Sequence, residues 1–155
     1  MKGNEKIIEY LNDLLADELT AINQYMVHSE MCDDWGYAKL HQAVEARAIT
    51  EMRHAEKLIG RIIFLEGRPV VSKLKDLHIG ADVEGQLRND LTAEYDAIAA
   101  YNAGVKLAVE VGDNGTRAIL ESTLTDEEDH ADWIEAQLDQ IEQIGLANYL
   151  VEQID

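Results

Sequence analysis

Cysteine is almost missing from this chain of 155 residues, with Cys32 its single example. No disulfide can close within one chain, and neither a thiolate zinc site nor an iron–sulfur cluster can be built from it. Proline also occurs once, while hydrophobic residues make up 46%, so the chain reads as a folded globular protein rather than a disordered one. Basic residues are scarce too: 13 Lys and Arg stand against 31 Asp and Glu, for a formal net charge of −18. That balance argues against nucleic acid or an anionic membrane as a partner and favours cations. No apolar run approaches the ~18 residues a membrane span needs, and no basic-then-apolar start reads as a signal peptide. The expected location is therefore the cytoplasm, and the length suits one domain spanning residues 1–155.

Helical periodicity fills most of the chain, and strand-type alternation is nearly absent. Four segments near 28 residues each are expected: Glu5 to Asp33, Gly36 to Leu65, Val83 to Val111 and Thr116 to Gln143. The turns near Asp33–Asp34 and at Gly112-Asp113-Asn114-Gly115 are short and join antiparallel neighbours. Gly67 to Asp82 is different, because Gly67, Pro69 and Gly80 interrupt any helix there. Extended, it reaches about 50 Å, enough to travel a helix about 42 Å long. The third helix then starts parallel to the second. The expected fold class is all-α: a ferritin-like four-helix bundle with this one long crossover, and a short fifth helix from Leu146 to Ile154.

Polar residues on the apolar faces carry the chemistry. The first helix presents Leu11, Leu14, Leu15, Glu18, Ile22 and Tyr25, with Met26 also in its apolar pattern; the second presents Leu40, Val44, Ala48, Glu51, His54 and Leu58. The third presents Leu87, Leu91, Glu94, Ile98 and Tyr101, and the fourth Leu120, Leu124, Glu127, His130 and Ile134. Each helix places a Glu where a bundle expects Leu, and two add a His three residues later on the same face. Glu18 to Glu51 is 33 residues, and Glu94 to Glu127 is 33 again, so two similar hairpins bring four carboxylates to one depth. Four buried carboxylates repel one another and lose hydration, so they need compensating positive charge. Two divalent cations would supply it, and the mixed oxygen and nitrogen ligands suit iron or manganese, zinc less selectively.

At these residues the sequence resembles a bacterioferritin over essentially its whole length. Beyond the Glu and Glu-x-x-His pattern, the likeness lies in MKGNEKIIEYLN, ELTAINQY, FLEGRP, HIGADV, DEEDHADWIEAQLD and GLANYLVEQID. The resemblance implies a ferroxidase centre holding two Fe per subunit, with Glu51 and Glu127 bridging. Glu18 and His54 would hold one iron, and Glu94 and His130 the other. Tyr25 matches a family tyrosine beside that centre. Met52, about 100° round the helix from the di-iron face, matches the methionine that ligates haem b between two subunits. The family's assembly is a hollow homo-oligomer of 24 subunits built of twofold dimers. It oxidises Fe(II) with O₂ or H₂O₂ and stores the product as mineral, and a small ferredoxin returns electrons through the haem for iron release. Two positions depart from the pattern: Ala46 and Thr50 stand where relatives carry a cavity-lining His and an acidic residue. Glu45 and Arg47 are also unusual for the family. His28, His41 and His78 read as surface or structural residues. The want of paired Cys argues against a rubrerythrin, leaving another di-iron oxidoreductase or a passive metal-buffering shell subunit as rival readings.

Overall fold

The computed structural model describes residues Met1–Asp155. Five helices follow one another: α1 Glu5–Asp34, α2 Ala38–Phe64, α3 Val83–Glu110, α4 Asn114–Ile144 and α5 Leu146–Val151. This is the expected four-helix bundle with a short C-terminal helix, and no helix is long and apolar enough to cross a membrane. Each boundary has a local cause. Asn4, Asp82 and Asp113 cap α1, α3 and α4 by accepting hydrogen bonds from first-turn amides.

The two hairpins end their first helices in the same way. Gly36 has φ +80° and Gly112 has φ +75°, a left-handed conformation that glycine adopts without strain. The next residue then donates back five positions, Tyr37 to the Cys32 carbonyl and Asp113 to that of Ala108, at 2.9 and 2.8 Å. The first turn therefore lies at Trp35–Tyr37, slightly later than Asp33–Asp34, because the helix continues until Gly36 permits the reversal.

Residues 65–82 form the crossover. Its main-chain amides bond four α1 side chains in order: Val70 to Asn12, Lys75 to Thr20, His78 to Gln24 and Gly80 to His28. The connection thus runs along α1 in the same direction as α1. Contacts between α1 and α3 run in opposite order, from Cys32–Gln86 through His28–Asp90 and Tyr25–Glu94 to Glu18–Tyr101. So α3 is antiparallel to α1 and parallel to α2, as the linker length implied.

The core has three levels. One apolar cluster, built on Ile7, Leu11, Leu14, Leu58, Ile62 and Leu120, fills one end. A second, with Leu40, Leu87, Ile134, Ile141 and Tyr149, fills the other and anchors α5. Between them lies a layer of buried polar side chains.

Candidate metal centre

All six sequence-predicted ligands meet in that middle layer. Glu18 comes from α1, Glu51 and His54 from α2, Glu94 from α3, Glu127 and His130 from α4. Their donor atoms form two overlapping groups, each with its atoms within 4.8 Å of one another. Glu18, Glu51, His54 and Glu127 make one; Glu51, Glu94 and His130 make the other, so Glu51 is common to both. The four carboxylates and His54 are all at most 3% exposed, and His130 is half-buried.

The histidines are oriented from both sides. His54 Nδ1 lies 3.0 Å from Glu127 Oε1, 3.1 Å from Glu51 Oε2 and 3.5 Å from Glu18 Oε1. Its Nε2 is 2.9 Å from Asp126 Oδ2, an acceptor that fixes the ring. His130 Nδ1 is 2.7 Å from Glu94 Oε1, and its ring stacks on Trp133 and meets Tyr25 edge-on. Tyr25 donates its phenol proton to Glu94, and Tyr101 donates to Glu18. Each tyrosine thus holds the carboxylate of the opposite hairpin.

The electrostatics reflect four acids in a buried layer. Burial, then the charge of Glu18, pushes the Glu51 carboxyl above its ordinary range. Burial, then Glu51, does the same to Glu127. Burial also works against Glu94, but hydrogen bonds with Glu127 and His130 and the charges of His130 and Arg47 hold it down. Burial disfavours the charged form of His54, and contacts with Glu127, Glu18 and Glu51 outweigh it, raising the imidazole above its ordinary range. Glu51 Oε1 and Glu127 Oε1 are buried without a well-aligned hydrogen bond, although Arg47 Nη2 and His54 Nδ1 lie 2.7 and 3.0 Å from them. Four carboxylates gathered this closely favour a cation among them.

Part of the compensating charge is internal, so metal ions need not supply all of it. Arg47, one turn before Glu51, extends its guanidinium into the layer. Its Nη2 is 2.7 Å from Glu51 Oε1, 3.0 Å from Glu127 Oε2 and 3.4 Å from Glu94 Oε2. Burial opposes its charge, and the three carboxylates overcome that, raising its pKa further.

Arg47, Tyr101 and Asp126 are thus site residues the ligand pattern did not select. A signal existed for Tyr101, since a Tyr follows Glu by seven residues in both α1 and α3. Ala46 is exposed, and Thr50 bonds the Ala46 carbonyl within its own helix, so neither points an additional donor at the centre. Met52 sits on the outer face of α2, 40% exposed. Met26 is also outside, 48% exposed, because Tyr25 takes the inward position. His28 is fully buried between Asp90 and the Gly80 amide, a structural role; His78 is exposed and His41 bonds the Ser29 carbonyl.

Comparison with known proteins agrees with this architecture. The model of the ferritin-like domain matches residues 8–144, from α1 to the end of α4. A bacterioferritin of Rhodobacter capsulatus is 45% identical over 145 residues, covering 94% of this chain and 90% of that protein. A bacterioferritin of Brucella melitensis is 44% identical over 149 residues, 96% of this chain and 92% of that protein. A bacterial ferritin of Neisseria meningitidis is 42% identical over 155 residues, 99% of this chain and all of that protein. With a matching domain and relatives this similar along nearly their full length, the chain belongs to the bacterioferritin family.

Proposed function

We propose that the chain, a single ferritin-like domain, is a cytoplasmic iron-storage subunit that oxidises Fe(II) at the buried centre. The observation that carries this reading is the pair of overlapping, buried carboxylate–histidine groups joined through Glu51. Fe(II) is the substrate. Glu18, Glu51, His54 and Glu127 would take one ion; Glu51, Glu94, Glu127 and His130 would take the other. Each ion gives up one electron, and the pair together reduces O₂ to H₂O₂, or H₂O₂ to water, with two protons consumed. Asp126 keeps the His54 ring turned towards the first ion, while Tyr25 and Tyr101 steady Glu94 and Glu18. Tyr25, beside His130, is also placed to donate an electron. The apolar clusters above and below close the layer at both ends of the bundle.

Storage requires an enclosure, and the reading includes a homo-oligomeric shell of 24 subunits made of twofold dimers. Its outer-face support is apolar: Ile22, Met26, Ala48, Ile49 and Met52 line one groove, with Ser29, Glu30 and Glu45 at its edge. A soft, exposed thioether in an apolar groove fits haem b, so Met52 would ligate it from each of two chains. Haem held there would supply a one-electron relay for mineral reduction, with a small ferredoxin as the reductant. The acidic net charge would draw cations to the shell.

One observation favours a second reading, a shell subunit that buffers metal passively: Arg47 stands among the ligands. Aerobic addition of two Fe(II) ions per chain to metal-free protein separates the two, followed by near-ultraviolet absorbance beside Glu18→Ala and Glu127→Ala controls. A fast phase that saturates at that ratio and is lost in the controls is expected. Oxidation no faster than in the controls would leave only the passive reading.

A further inference from the structure

We propose that Arg47 gates the centre: its guanidinium holds the Glu94–His130 half in the metal-free protein, so the Glu18–His54 half loads first and the second ion must displace Arg47. This inference rests on the metal-centre reading above and concerns the order of loading, not the oxidation.

Geometry comes first. Nη2 lies among Glu51, Glu127 and Glu94, at 2.7, 3.0 and 3.4 Å. A metal ion bonds such oxygens at about 2.0–2.2 Å. A nitrogen already within hydrogen-bond distance of the same three carboxylates leaves no separate space for it. The other half is open by comparison. Its counterpart of Arg47, four residues before Glu127, is Thr123, whose hydroxyl bonds the Ile119 carbonyl of its own helix. Arg47 touches Glu51 and Glu127, which both halves share, but of the carboxylates they do not share it reaches Glu94 and not Glu18.

Charge limits the layer to one ion while Arg47 remains. Four carboxylates with Arg47 and one divalent ion leave a single negative charge, which one proton or one imidazolium clears. Two divalent ions with Arg47 in place would leave an uncompensated positive charge in a buried layer, a costly state. Arg47 and the second ion are therefore alternatives. The guanidinium is also incompletely held. Nε is buried without a partner, and Nη1 bonds only the Asp126 carbonyl, at 3.3 Å, towards the edge of the bundle. Arg47 belongs among positioning residues, because it acts through the carboxylates it occupies.

The test is a Co(II) titration of the assembled, metal-free protein, read by visible absorbance, with no oxidation involved. The native chain is expected to bind one Co(II) tightly and a second about tenfold or more weakly. Arg47→Gln should bring the two steps within about threefold. Arg47→Lys keeps the charge but cannot fork across three carboxylates, so its gap should fall between. Should Arg47→Gln fail to assemble, Arg47→Lys decides alone. An unchanged gap in the variants, or two equal steps in the native chain, overturns the gate and leaves the metal centre standing. A native chain that takes up no Co(II) overturns both.

Discussion

Tyr101 and Tyr25 show how single side chains prepare the layer for its ions. Each donates a phenol proton across the bundle, Tyr101 to Glu18 and Tyr25 to Glu94. Burial, then the carboxylates nearby, raises both phenols well above their ordinary range, so neither loses its proton near neutrality. Removing one such donor frees a ligand carboxylate to turn away. Partners of metal ligands that set orientation are worth about tenfold or more in affinity. Tyr101→Phe is accordingly expected to weaken the first Co(II) step about tenfold while leaving the helical circular dichroism unchanged, because the ring stays in the buried apolar cluster at that end of the bundle. An unaltered isotherm would show that Glu18 is positioned by packing alone.

At the scale of the element, the start of α4 is held by one carboxylate with three partners. Asp113 accepts from the Thr116 amide and hydroxyl, and from Arg61 Nη2 at 2.7 Å, tying the second hairpin to α2. Burial would raise its pKa, but the Thr116 bonds and Arg61 lower it below 3.8. Because folding lowers this pKa, its contribution is complete above the unfolded value and disappears as the pH falls through the folded one. Asp113→Ala should cost about 1–2 kcal/mol near neutral pH. The difference from the native chain should shrink in strong acid, where both lack the charge. Urea unfolding at the two conditions measures it, and an equal cost at both would assign the effect to packing rather than charge.

For the whole molecule, the proposed assembly rests on the outer face. Met26, Val27, Ile49 and Met52 are large, apolar and between 40% and 48% exposed on neighbouring parts of α1 and α2. Such a patch on a chain carrying a net charge of −18 marks a surface meant for another chain. Met26→Glu is expected to leave the helices intact and reduce the assembly to small species in sedimentation velocity. On the proposed haem site, Met52→Leu, of similar volume, should keep full assembly and lose haem absorption. Normal haem uptake by the Met52→Leu shell would place the iron ligand elsewhere.

The sequence by itself determined the four long helices, their pairing and the six residues that meet between them. These are local properties: a 3.6-residue period puts Glu51 and His54 on one face, and a repeated spacing of 33 brings two hairpins into register. The length of the crossover was legible for the same reason, since reach depends only on residue count. Tertiary structure alone decided the partners of long side chains. Arg47 shares the face of Glu51, yet whether it would reach solvent or three carboxylates depends on α3 and α4, which the spacing along α2 does not describe. Tyr101 read as core until Glu18 of another helix came within reach of its hydroxyl. Met26 read as inward because apolar periodicity cannot tell a core stripe from an adjoining face left for a second chain.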